Sequence, residues 1–196
     1  LEAAPGTVDQ LGNQELAERT GLPKATVSRL THTLTLLGYL EYSSSHEKYA
    51  LGAPVLSLGY AFLGSIEISK AARPHMSELA NYANASVALG TRDRLQMTYI
   101  ELAHGSATVS LRLDIGARIP IQQSALGMAF LFGLPESERD FLMNAIRKAE
   151  GSNWQGVKKR IRIAFAELEK NGFCVSLGTY ERTINGVGVP LITAGG

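Results

Sequence analysis

Within six residues, Lys24-Ala25-Thr26-Val27-Ser28-Arg29 presents two cations and two hydroxyls around one apolar position. Hydroxyls and backbone N–H groups at the start of a helix suit phosphate oxygens and base-edge acceptors. An arginine there can donate a bidentate pair to guanine, worth about 1–3 kcal/mol of discrimination. With Val27 turned inward, Lys24, Thr26, Ser28 and Arg29 are the candidates for such contacts, and His32 and Thr33 are further candidates on the same helix. No acidic residue lies between Lys24 and Gly38. A second polar group follows at Ser44, His46 and Lys48, which can reach phosphate from a hairpin.

The flanking pattern supplies the scaffold these residues need. Residues 11–20 read as a short helix with Leu11, Leu16 and Ala17 inward, and Gly21-Leu22-Pro23 stops it. A second helix starts at Pro23 or Lys24 and runs to about residue 37, with Val27, Leu30, Leu34 and Leu37 as one apolar stripe. Residues 39–42 and 48–51 alternate as two strands around a polar turn. Two helices joined by a tight turn and followed by a hairpin make a winged helix-turn-helix. Residues 1–64 hold four Lys/Arg against six Asp/Glu, a net of −2, which is unusual for a nucleic-acid-binding domain. The cations nevertheless fall on the second helix and the hairpin, while Glu15 and Glu18 fall on the first helix. A winged module that binds protein rather than DNA is the alternative.

Residues 55–63 read as a helix that is apolar on two sides: Val55, Leu58 and Phe62 on one, Leu56, Tyr60 and Leu63 on the other. Such a helix needs two surfaces to pack against, and a second copy of the chain supplies one of them. Val55, Leu58 and Phe62 are therefore the dimer-interface candidates. Past Gly64-Ser65 the pattern mixes helices and strands. A helix over 66–83 has Ile68, Ala72, Leu79 and Tyr82 as core candidates, and strands follow over 86–89, 95–102 and 107–113. Residues 90–93 read as a turn and 114–123 as a loop. Helices follow over 124–132, about 135–149 and 157–170, then strands over 173–177 and 187–194. The fold class is α+β in two domains: a winged helix-turn-helix over 1–52, a linker and dimerisation helix over 53–64, and an effector domain over 65–196. Both ends read as cut, with the C-terminal part incomplete.

Other chemistry is weakly signalled. A catalytic site needs a nucleophile with its base or a close carboxylate pair. No G-x-S-x-G, Cys–His signature or tight acidic cluster occurs, so an enzyme is the remote reading. His32, His46, His75 and His104 are scattered without metal-ligand spacing, so neither a metal nor a cofactor is expected. The basic run at 158–162 lies opposite Val157, Ile161, Ala164, Phe165 and Leu168 and reads as a solvated helix face. Asn185-Gly186-Val187-Gly188 lacks the strand–turn–helix context of a phosphate loop. The lone Cys174 reads as a small core residue. The longest apolar stretch, 125–134, is shorter than the roughly 18 residues that span a bilayer, and a cytoplasmic protein without a membrane partner is expected.

The order of these segments resembles one family. Residues 15–30, with Leu36-Leu37-Gly38-Tyr39-Leu40 and Tyr49-Ala50-Leu51-Gly52, closely resemble the IclR family of bacterial transcription regulators. Ala72-Arg73-Pro74-His75-Met76, the stretch from Gly116 to Ala129, and Asn185 to Pro190 resemble its effector domain. The resemblance implies double-stranded operator DNA as partner, a GAF-like α/β effector domain, and a homodimer or homotetramer. It also implies an effector pocket at Leu111, Leu113, Ile119, Ala125, Leu126, Ser176 and Gly186. Gly186 stands where some members have a polar residue or a cysteine, and Ala125 and Leu126 where they have small residues. Those departures favour a partly apolar ligand, such as an aromatic or branched carboxylic acid. Its carboxylate can meet Ser124 or the N–H groups at the following helix start. Arg118 is either a further anchor or half of a structural ion pair.

Overall fold

A computed structural model describes residues 10–105 and 113–192. The chain divides into two compact units, Leu1–Lys70 and Ala71–Gly196.

In the first unit, helix α1 spans Asn13–Thr20 and helix α2 spans Lys24–Leu36. Helix α1 starts two residues later than its apolar pattern suggests. Gly12 is extended and caps it, with the Glu15 carboxylate accepting the Gly12 N–H at 2.8 Å. Leu11 is instead paired as a strand residue with Tyr49, through bonds of 3.1 and 2.9 Å. Gly21, at φ 69°, ends α1 in the left-handed conformation that disfavours other residues. Strands β1 (Leu40–Ser43) and β2 (Lys48–Leu51) form the antiparallel wing, with Tyr42 facing Tyr49 in register.

The buried face of α2 is Val27 and Thr31, and Leu30, Leu34 and Leu37 remain exposed. The four-residue stripe is thus only partly covered. Leu30 and Leu34 line an apolar cleft with Leu16, Leu22, Tyr49 and Leu51. Helix α3 (Pro54–Ser65) buries none of its residues.

Helix α4 (Glu67–Ala83) is followed by the antiparallel sheet β3 (Val87–Asp93), β4 (Gln96–Ala103) and β5 (Arg118–Pro120), in that order. Met76 and Ala80 of α4 are buried with Ala103, one face of the helix. Leu79 and Tyr82 lie off that face at 51% and 89% exposure, so they are not core. Arg73 donates from Nε and Nη2 to Glu101 Oε2, at 3.0 and 2.7 Å, and ties α4 to β4. Residues 90–93 are not a turn. They continue β3 past a bulge at Leu89/Gly90, and the chain reverses at Arg94, which has φ 55°. Strand β5 lies inside the stretch that reads as loop. The strand expected over 107–113 lies outside the described residues except for its last position.

A 3₁₀ turn, Ile121–Gln123, leads into α5 (Ala125–Gly133) and α6 (Glu136–Glu150), and a second, Gly151–Asn153, leads into α7 (Trp154–Asn171). The hairpin β6 (Cys174–Leu177) and β7 (Asn185–Gly188) follows. The core joins Met97, Ile121, Leu131, Ile146, Ile161 and Cys174, all fully buried or nearly so. Each fully buried Ile, Leu or Met side chain contributes about 1.5–3 kcal/mol. On α7 the buried positions are Val157, Ile161, Ala164 and Leu168, with Lys158, Lys159, Arg160 and Arg162 exposed around them.

Candidate nucleic-acid interface and effector face

Because Val27 and Thr31 turn inward, α2 presents Lys24, Thr26, Ser28, Arg29, His32 and Thr33 as one exposed polar face. Three side chains on the first turn of α1 reach toward this face and the wing. Asn13 Nδ2 donates to Ser28 Oγ at 3.3 Å, and Thr31 Oγ1 donates to Asn13 Oδ1 at 3.4 Å. Lys24 Nζ donates to Gln14 Oε1 at 3.3 Å. Lys48 Nζ lies 3.7 Å from Glu15 Oε2. Thr33 bonds back to the Arg29 carbonyl at 3.1 Å, leaving the Arg29 side chain on the exposed face.

Sequence reasoning missed Asn13, Gln14 and Glu15. The available signal was the Gly12-x-x-Glu15 capping spacing, which places all three in a first turn. The Gly12 N–H, with Lys48 and Arg19 behind it, holds the Glu15 carboxyl below the usual carboxylate range. At the wing tip Ser44 and His46 are exposed, and His46 Nδ1 is 3.1 Å from Ser43 Oγ and 3.0 Å from Ser45 Oγ. On α3, Leu58 and Phe62 are exposed and Val55 is half-buried.

In the second unit, Ser124 caps α5 by accepting the Gly127 N–H at 3.0 Å, while its own hydroxyl donates to the Pro120 carbonyl at 3.4 Å. Its hydrogen-bonding capacity is thus largely engaged inside the protein. Ser176 and Gly186 are cross-strand partners. A Cβ on Gly186 would stand 3.8 Å from the Ala125 Cβ, so the hairpin and the start of α5 come together at these positions. Leu126 leans over β3, where a Cβ on Gly90 would lie 2.6 Å from Leu126 Cδ2. Ile119 pairs with Met97 and is buried, and Leu113 is half-buried. Leu111 lies outside the described residues.

Arg118 Nη2 pairs with Asp93 Oδ2 at 3.0 Å, an ion pair between β5 and the end of β3. Its Nε is buried without a hydrogen-bond partner among the described residues. Cys174 donates its thiol to the Ala125 carbonyl at 3.5 Å. Burial, with Glu167 behind it, pushes that thiol up to about 11. Tyr99 on β4 went unnoticed in the sequence. Burial, and then neighbouring Tyr180, raise its phenol above the usual tyrosine value.

An exposed polar helix over a wing, joined to a second α+β unit, defines a winged helix-turn-helix protein with an appended domain. The family model for the IclR helix-turn-helix domain matches residues 1–44, and that for the bacterial transcriptional regulator IclR C-terminal region matches residues 60–196. The chain belongs to the IclR family: it is a DNA-binding, effector-modulated transcription regulator and not an enzyme. It is 40% identical over 187 residues to the HTH-type transcriptional regulator TsaQ1/TsaQ2 of Comamonas testosteroni, covering 94% of this chain and 67% of that one.

An IclR family transcriptional regulator from Brucella abortus superposes with TM-score 0.90 at 44% identity, over 95% of this chain and 70% of that one. An IclR homolog of Microbacterium hydrocarbonoxydans complexed with 4-hydroxybenzoate shares the fold. Its TM-score is 0.67 at 20% identity, over 96% of this chain and 79% of that one. This chain therefore spans roughly two thirds to four fifths of the length of these relatives. Among the described residues no helix is long and apolar enough to cross a membrane.

Proposed function

We propose that this regulator binds double-stranded operator DNA as a homodimer in the cytoplasm, with α2 in the major groove and the wing on phosphate. Lys24, Thr26, Ser28, Arg29, His32 and Thr33 face the groove, and Ser44, His46 and Lys48 face the backbone. The observation that carries this reading is that α2 buries Val27 and Thr31 and leaves Lys24, Thr26, Ser28, Arg29, His32 and Thr33 exposed. In this reading residues 1–52 bind DNA, 53–64 join the dimer through Val55, Leu58 and Phe62, and 65–196 bind the effector. That α3 is apolar yet has no fully buried residue supports the dimer.

The effector is a small carboxylic or aromatic acid. Its site is the place where Ala125, Ser176 and Gly186 come together, with Leu126, Ile119 and Leu113 as further lining and N–H groups at the start of α5 offered to the anion. The Microbacterium homolog's 4-hydroxybenzoate supports an aromatic acid by analogy of fold. Ligand energy reaches the DNA only through a preference for one arrangement of the dimer.

The test is a mobility shift on the chain's own upstream duplex and on an unrelated duplex, at two salt concentrations, with and without a panel of organic acids. A sequence-selective shift altered by one acid is expected. Equal affinity for both duplexes at every salt concentration sinks the operator reading. A selective shift that no acid alters sinks the effector assignment alone.

A further inference from the structure

We propose that Glu15 competes with DNA phosphate for Lys48, so that α1 sets how tightly the wing grips DNA. The inference rests on the reading of Lys48 as a wing contact and adds a regulator of that contact.

Three consecutive residues on the first turn of α1 each touch one candidate DNA contact. Asn13 holds Ser28 and Gln14 holds Lys24, both through neutral amides that orient their partners. Glu15 alone is a carboxylate. Its Oε2 accepts the Gly12 N–H at 2.8 Å and lies 3.7 Å from Lys48 Nζ. The tie to Gly12 is the shorter, so the carboxylate stays in place when Lys48 leaves. The Leu11–Tyr49 bridge fixes the spacing, since Lys48 precedes Tyr49 and Glu15 sits just beyond Leu11.

Side-chain exposure is 41% for Lys48 and 47% for Glu15, so a phosphate can approach the ammonium while the pair is made. An exposed pair of this kind is weak enough to exchange partners. On exchange Lys48 moves from a fixed carboxylate to a DNA phosphate, and the carboxylate is left facing the polyanion. A partly neutralised Lys48 also releases fewer counterions when it reaches DNA. The lowered carboxyl of Glu15 is consistent with an anion present throughout the ordinary pH range.

Glu15→Gln keeps an acceptor for the Gly12 N–H and removes the charge. It is expected to raise affinity for specific and unrelated duplexes alike by about twofold to fivefold at low salt. The slope of log affinity against log salt should steepen by up to about one phosphate equivalent. In a Lys48→Ala background the same substitution should have little effect.

A second readout leaves position 15 unchanged. In an NMR titration, the Glu15 carboxyl should titrate higher in Lys48→Ala, and higher in the wild-type complex with duplex, than in the free protein. Unchanged or weaker binding by folded Glu15→Gln, an equal gain without Lys48, or an unmoved Glu15 titration on DNA overturns the competition. If Lys48→Ala leaves DNA binding intact, the wing assignment falls and the competition falls with it. If Lys48→Ala weakens binding but Glu15→Gln does not strengthen it, only the competition falls.

Discussion

A Cβ on Gly188 would stand 2.2 Å from the carbonyl oxygen of Ala125 and 3.0 Å from the Leu126 nitrogen. Strand β7 and the start of α5 therefore meet backbone to backbone. On its other side the same helix start is pressed against the 3₁₀ turn, where a Cβ on Gly127 would lie 2.2 Å from the Ile121 carbonyl oxygen. Two glycines thus hold the N–H groups of α5 in one place, which an anion site at that helix end requires.

Gly188→Ala must push backbone from backbone, because no flexible side chain can yield. It is expected to destabilise the second unit by about 1–3 kcal/mol, read as a lower thermal midpoint. Gly186→Ala meets only ordinary contact with the Ala125 Cβ at 3.8 Å. It should leave the midpoint nearly unchanged while weakening the thermal shift produced by an organic acid. Similar midpoints for the two variants would contradict the packing.

Arg29→Ala is expected to weaken specific operator binding with folding intact, since Arg29 points away from Val27 and Thr31. A lost bidentate base contact corresponds to about 1–3 kcal/mol. Lys48→Ala should weaken binding evenly across sequences and flatten the salt dependence. Mobility shifts that Arg29→Ala leaves unchanged would misplace α2.

Leu58→Glu or Phe62→Glu puts a charge on an exposed apolar helix of the free chain. Neither disturbs a packed core within the chain, so each should remain helical by circular dichroism yet sediment as a monomer. Wild-type protein that is monomeric at micromolar concentration would remove the basis for the dimer through α3.

Cys174 has its thiol raised to about 11, first by burial. A group whose folded value lies above its unfolded value stabilises the fold fully below the unfolded value. That contribution then declines as pH rises through the folded one. The contribution is therefore present at neutral pH and is lost between about 9 and 11. Alkylation at pH 8 should be slow and accelerate only on unfolding. Rapid labelling of folded protein would contradict the buried thiol.

Leu126→Ser replaces the side chain that lies over Gly90. It is expected to weaken binding of aromatic acids more than of small hydrophilic ones, as read by thermal shift. Hits confined to small hydrophilic acids, with affinities untouched by Leu126→Ser, would overturn the apolar effector face.

Local pattern was enough to determine the elements whose signals are local. Gly21 stops α1 because one backbone conformation suits glycine, and α7 shows its buried row because 3.6 residues per turn stack Val157, Ile161, Ala164 and Leu168. The polar face of α2 was legible for the same reason. Pairing between distant residues carries no such period. Leu11 looks helical from its neighbours but is bound to Tyr49, 38 positions on, as a strand residue. Strand β5 is three residues long and takes its partners from β4, so nothing in its own stretch distinguishes it from a loop. Leu30 and Leu34 have the spacing of a covered stripe, yet the packing of α1 and the wing covers Val27 and Thr31 instead. Nothing in the local pattern around Asn13, Gln14 and Glu15 marks them as partners of α2 or the wing. Only the crossing of α1 with α2 and the wing, a long-range packing decision, brings them to Ser28, Lys24 and Lys48.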